Sequence, residues 1–178
     1  MKEYLIVVDM QKDFVDGALG TAEAVAIVPA VAERIRTHVE AGGAIAVTLD
    51  THGDAYMQTQ EGKNLPVPHC IKGTPGHELY SAVANALAGT DYRVFEKETF
   101  GSPALAQWIA EAAFRGEARS VTLIGLCTDI CVISNAMLIK AFAPEVQVCV
   151  EAACCAGVTP ESHDIALAAM GACQIAVV

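Results

Sequence analysis

Short β-branched runs alternate with longer stretches of helical periodicity along the chain. Leu5-Ile6-Val7-Val8, Ala44-Ile45-Ala46-Val47-Thr48-Leu49, Tyr92-Arg93-Val94-Phe95, Val121-Thr122-Leu123-Ile124 and Val146-Gln147-Val148-Cys149-Val150 read as strands, and Gln174-Ile175-Ala176-Val177 closes the series. Continuous apolar runs of this length suit strands covered on both faces. Between the first two, Val28, Val31, Ile35 and Val39 recur on one helical face, and the pattern stops at Gly42-Gly43, a C-cap signal. Further helices are expected at 78–87, 103–115, 129–142 and 160–171. Alternating β and α with crossover-length helices predicts an α/β fold, a doubly wound, mostly parallel sheet of about six strands with helices on both faces. No internal repeat, linker or low-complexity tract interrupts it, so a single domain over 1–178 is expected. The irregular stretch 52–76 exceeds the ~12–15 residues usual for a structureless loop, which marks it for function.

Composition narrows the class. Hydrophobic residues make up 53% of the 178 and charged ones 18%, which excludes a disordered chain and permits a sizeable core. No apolar run approaches the roughly 20 residues of a membrane span. Met1-Lys2-Glu3-Tyr4 passes straight into the first strand without a signal-peptide pattern, so a cytoplasmic protein is expected. The formal net charge of −10 argues against nucleic acid, because phosphate binding needs Lys/Arg clusters and none is visible. A small-molecule partner is expected instead, with no membrane and with a homo-oligomer left open. The seven cysteines sit mostly in apolar surroundings and read as reduced thiols rather than a disulfide framework.

In an open parallel sheet, ligands bind outside the carboxyl ends of the strands. Asp9 follows the first strand, Asp50 and His52 the second, Lys97 the third, and Cys127 and Cys131 the fourth. Each alone has a bland reading. Cys131 could be a buried structural thiol, Asp9 a turn acid, and Lys97 a surface partner of Glu96 or Glu98. Their convergence on one sheet edge reverses those readings, because a thiol, an acid and a base together are what nucleophilic catalysis requires. Thr128 or Asp129 can cap the following helix, placing Cys131 in its first turn, where the dipole would lower the thiol pKa. Exposed N–H groups there could hold an oxyanion. Cys127 competes as nucleophile but precedes the helix. Asp50-Thr51-His52, followed by Glu61 and His69, offers two imidazoles and one or two carboxylates, a donor set suited to Zn²⁺, Fe²⁺ or Mn²⁺.

Together these segments resemble the isochorismatase-like cysteine hydrolases and, within them, the nicotinamidases. The likeness rests on Val7-Val8-Asp9-Met10-Gln11-Lys12-Asp13-Phe14, on Asp50-Thr51-His52 with Pro68-His69-Cys70-Ile71-Lys72-Gly73-Thr74-Pro75-Gly76, on Lys97 of the K-x-x-F/Y-S segment, and on Thr128-Asp129-Ile130-Cys131-Val132. After Lys97 the chain departs from the family, with Thr99-Phe100-Gly101-Ser102 replacing the aromatic that often precedes its Ser. The resemblance implies a Rossmann-type three-layer sandwich and a Cys131–Asp9–Lys97 triad. It also implies a cis peptide between Leu126 and Cys127 and an oxyanion hole from the N–H groups of Cys127 and Cys131. Phe14 is then an aromatic wall, with Phe100 and Leu126 as further substrate-contacting positions. Asp50, His52 and His69 map onto metal ligands of a loop at about 50–76, the metal holding a pyridine nitrogen. Some members use a histidine as fourth ligand and this chain has none there; Glu61 matches the members that use a glutamate, with Asp54 in reserve.

The function this implies is hydrolysis of nicotinamide to nicotinate and ammonia, dependent on one divalent transition metal, zinc foremost. A related amidase acting on pyrazinamide-like or N-carbamoyl compounds is the second reading. Isochorismate hydrolysis fits less well, because cleaving an enol ether needs neither the thiol nor the metal loop. A non-catalytic thiol redox or metal protein is the third; Cys127-x-x-x-Cys131 is not the usual redox spacing.

Overall fold

The computed structural model describes residues 1–178, and six parallel strands form its centre in the order β3-β2-β1-β4-β5-β6. They are β1 (Lys2–Val8), β2 (Ala44–Asp50), β3 (Tyr92–Lys97), β4 (Ala118–Leu126), β5 (Gln147–Ala156) and β6 (Ala176–Val177). The helices are α1 (Lys12–Val15), α2 (Ala22–Glu40), α3 (Gln60–Asn64), α4 (Ser81–Leu87), α5 (Pro103–Phe114), α6 (Ile133–Phe142) and α7 (Pro160–Ala172). This is the doubly wound order, with its reversal point between β1 and β4. No helix is long and apolar enough to cross a membrane.

The apolar continuity of β1 follows from its two covered faces. Tyr4, Ile6 and Val8 join the core under α5, α6 and α7, whereas Leu5 and Val7 join the core under α2 and α4. Period-two alternation therefore divides one hydrophobic run between two cores. On α2, Val28, Val31 and Ile35 are buried and Val39 is half-buried. Thr21 caps its start by accepting from the Ala24 N–H, and Gly42, at φ 73°, ends it in the left-handed conformation.

Several expected boundaries move. Strand β5 runs on to Ala156, because Gly125 and Leu126 pair with Cys155 and Ala156 beyond a register shift. Helix α4 starts at Ser81, since the Tyr80 N–H is held by the Met10 carbonyl. The stretch 52–76 carries the short helix α3 and 3₁₀ turns at Tyr56–Gln58 and Pro75–His77 rather than structureless chain. The helix expected from residue 129 opens with a wide π turn, Thr128–Val132, before α6 proper. All seven cysteines are unpaired.

Gly125 fixes the closest approach of β4 to β1. Its φ is +116°, and a Cβ there would lie 2.2 Å from the Val8 carbonyl oxygen. Gly125→Ala is expected to destabilise the fold by about 3 kcal/mol, from backbone strain plus the clash. Urea unfolding of purified variant and wild type measures it; an unchanged midpoint would refute this account of the β1–β4 contact.

Candidate active site

Strand ends supply the reactive groups. Asp9 is the residue after β1, Asp50 and Lys97 are the last residues of β2 and β3, and the π turn after β4 presents Cys131. The register Asp50↔Lys97 sets two of them side by side. Lys97 Nζ lies 2.7 Å from Asp9 Oδ2, 3.2 Å from Asp50 Oδ1 and 3.5 Å from Cys131 Sγ. All four residues are buried. Lys97 thus pairs with neither Glu96 nor Glu98, the surface alternatives.

Asp9 sits at φ 46°, which turns its carboxylate inward from the strand end. Oδ1 accepts from the Thr48 hydroxyl at 2.6 Å. Oδ2 makes its ion pair with Lys97 outside hydrogen-bond geometry and has no other donor in place among side chains of that region. Burial pushes the Asp9 carboxyl above the usual carboxylate range, despite the opposing pull of Lys97. Burial also raises the Cys131 thiol, and the Asp9 charge raises it further against Lys97. The helix dipole was expected to lower this thiol. Desolvation next to a carboxylate outweighs it. Lys97 is held protonated: burial works against its charge, but Asp9, Cys131 and Asp50 more than offset that.

The cap expected of Thr128 or Asp129 is absent. Thr128 Oγ1 bonds His163 Nδ1 at 2.7 Å, and the Asp129 carboxylate accepts from the Val158 N–H at 3.1 Å. Cys127 takes the N-cap position without a side-chain bond. Its thiol is pushed up to about 12 by burial, with Asp129 and Asp9 adding to the effect. The Leu126–Cys127 peptide is cis, and no backbone carbonyl accepts from the Cys127 N–H.

Beside this group, Asp50, His52, Glu61 and His69 bring one donor atom each to within 4.8 Å of one another. Asp54 is not among them. The imidazole Nε2 atoms of His52 and His69 lie 3.0 and 3.4 Å from Asp50 Oδ2, and both lie 3.7 Å from Glu61 Oε1. The Val67 carbonyl, which can only accept, meets His69 Nδ1 at 2.8 Å. That bond orients the ring so that Nε2 faces the Asp50 and Glu61 carboxylates. Four convergent N and O donors, three of them buried, fit a divalent transition metal by donor chemistry and spacing.

A cavity of about 360 Å³ joins the two groups, lined by Cys131, Cys127, Asp50, Glu61 and His69. Its remaining wall is Phe14, Leu19, Thr21, Asn64, Leu65, Phe100, Ile130 and Val158. A wider hollow on the far side of His52 and Glu61 does not reach the thiol, so the smaller cavity is the one where chemistry can occur. Phe14 and Phe100 are in the wall, and Phe14 lies 5.4 Å from the His69 ring, centroid to centroid. Leu126 is not: its side chain is wholly buried in the core under α2, because the strand pleat turns it away from the cavity.

Two polar residues with a large role here had no assigned part in the sequence reading. Gln11 is fully buried; its amide oxygen accepts from Asp50 N–H at 2.8 Å, and its amide nitrogen donates to the carbonyls of Asp50 and His77, both at 2.9 Å. Asp13 Oδ2 accepts from Cys70 N–H at 2.8 Å, fastening the residue after His69. The signal available was their place in the Val7–Phe14 segment that carries the family likeness, which gave neither of them a role of its own.

A family model described as the isochorismatase domain matches residues 3–178. The nicotinamidase/pyrazinamidase of Mycobacterium tuberculosis is 28% identical over 141 residues, 72% of this chain and 73% of that protein. A pyrazinamidase/nicotinamidase structure from Streptococcus mutans superposes with a TM-score of 0.85 at 26% identity, covering 99% of this chain and 100% of that one. The pyrazinamidase of Pyrococcus horikoshii in complex with zinc gives a TM-score of 0.80 at 29% identity, covering 100% and 99%.

Gln11→Leu keeps the side-chain bulk but strands the Asp50 N–H and two carbonyls. Buried polar groups without partners cost ~1–3 kcal/mol each, so a loss of about 3 kcal/mol or more is expected. Chemical denaturation tests this; a loss under about 1 kcal/mol would show that the glutamine is not what holds Asp50.

Proposed function

The chain belongs to the isochorismatase family, and from that premise we propose that it is a cysteine amidohydrolase converting nicotinamide to nicotinate and ammonia. The observation that carries the reading is one ammonium, Lys97, holding an acid and a thiol at 2.7 and 3.5 Å beside a four-donor cluster, three of whose members line the same cavity as the thiol. Asp9 Oδ2 takes the Cys131 proton as Sγ attacks the carboxamide carbon. The N–H groups of Cys127 and Cys131 stabilise the oxyanion. The tetrahedral intermediate collapses with Asp9 returning its proton to the nitrogen, ammonia leaves, and a thioester remains. Asp9 then accepts a proton from water as the water oxygen attacks; nicotinate departs and Sγ regains a proton. Lys97 stays charged throughout and balances the negative charge that moves between sulfur and carboxylate.

A divalent cation held by Asp50, His52, Glu61 and His69 would supply an electron-pair acceptor for the pyridine nitrogen, and zinc is the proposed ion. Phe14, its ring tilted against that of His69, and Phe100 are proposed as walls for the ring. The wall bears no cation to receive a substrate carboxylate, since Lys97 is engaged by Asp9 and Asp50. That favours a neutral heteroaromatic carboxamide, pyrazinamide included, over an anionic N-carbamoyl amino acid. A cytoplasmic role in salvage of the pyridine ring is part of the same proposal.

Ammonia release from nicotinamide is expected to fall by about 10⁴-fold in Cys131→Ala and to stay within about tenfold of wild type in Cys127→Ala, whose backbone N–H remains. Full turnover by Cys131→Ala would sink the mechanism. In a separate assay, prolonged chelation is expected to abolish turnover and added Zn²⁺ to restore it. A metal-free preparation as active as the untreated protein would remove the metal from the reaction.

A further inference from the structure

The segment after Lys97 and the turn that carries Cys131 come from different strands, yet one buried side chain ties them together. Asn135, on the first turn of α6, is 1% exposed. Its amide nitrogen donates to the Cys131 carbonyl at 2.8 Å and to the Phe100 carbonyl at 3.3 Å. Its amide oxygen accepts from the Ser102 N–H at 2.9 Å. Ser102 in turn caps α5 by accepting from the Leu105 N–H at 3.2 Å. Gly101 closes the same joint: a Cβ there would lie 2.5 Å from Leu138 Cδ1 and 3.2 Å from the Ser134 carbonyl oxygen.

Helix α6 forms most of its own hydrogen bonds without Asn135, and a short polar side chain inside a helix is neutral to unfavourable for the helix itself. The value of this amide lies in what it joins. One of its bonds fixes the peptide of the nucleophile; the others fix the backbone three and five residues beyond Lys97 and, through Phe100, a cavity wall. Both strands of contact end on groups that must keep a separation of 3.5 Å, Lys97 Nζ and Cys131 Sγ. Errors of an ångström in such a separation cost rate steeply.

We propose that Asn135 is a positioning residue that sets the spacing between the Cys131 thiol and the Lys97–Phe100 segment. This rests on Cys131 being the nucleophile of the proposed reaction. Asn135→Ala removes every bond of the joint. Asn135→Ser keeps a hydroxyl that reaches the Cys131 carbonyl within the helix but not Phe100 or Ser102.

The test measures both variants well below their unfolding temperatures, alongside metal content and far-UV circular dichroism. Turnover of nicotinamide and the rate of Cys131 alkylation by iodoacetamide, resolved by peptide mass analysis, are followed in parallel. In Asn135→Ala, kcat is expected to fall tenfold or more while KM changes less than threefold, and Cys131 alkylation to slow at least threefold. Asn135→Ser is expected to recover less than half of that loss. A folded Asn135→Ala protein with kcat and alkylation within twofold of wild type would overturn the proposal. Failure of both variants to fold would overturn it too, because the residue would then be structural first. If the wild type does not turn over nicotinamide but alkylation slows in the variants, the substrate reading fails and the positioning role stands.

Discussion

A single buried ammonium is what allows the rest of the site to exist. Asp9 and Asp50 are both removed from water at adjacent strand ends, and two unpaired carboxylates there would cost several kcal/mol apiece. Lys97 contacts both, at 2.7 and 3.2 Å. Because β2 and β3 pair with Asp50 opposite Lys97, the sheet register itself puts the cation where the two acids need it. Neutralisation is incomplete: burial, with the Asp50 charge adding to it, keeps the Asp9 carboxyl above its ordinary range although Lys97 pulls the other way.

Asp50 connects the two halves of the site. One of its oxygens faces Lys97, while the other faces His52 and His69. Its carboxyl is held well below the usual carboxylate range, since the hydrogen bonds from His52 and His69 and the Lys97 charge outweigh burial. The backbone on either side of that carboxylate is clamped by Gln11, which fixes where the side chain starts between its two sets of neighbours. The donor cluster and the thiol are consequently not independent: perturbing one changes the field and the position of the shared carboxylate.

The sheet was legible because its signal is redundant. Apolar runs at β1, β2 and β4, with helix-length spacing, leave few ways to bury both faces. The strand-end chemistry was legible for the same reason: once β1 to β4 are placed, Asp9, Asp50, Lys97 and Cys131 must lie at one edge. What escaped were features decided by three-dimensional competition. The thiol pKa turned on whether burial or a helix terminus prevailed. Leu126 was assigned to the cavity although the pleat sends it into the core. Gln11 and Asn135 act through hydrogen bonds to backbone far away in sequence, and Thr48 through one to the Asp9 carboxylate; no local pattern announces such partners.

The division of the cavity between strand ends and connections has a corollary. The strand-end groups are locked by register and by a shared charge, so an exchange at one disturbs the others. Leu19, Leu65, Phe100 and Val158 instead stand on connecting segments outside the sheet, where neither ladder bonds nor ion pairs depend on their identity. Those wall positions can therefore change in size and shape while the charged cluster at the strand ends keeps its geometry.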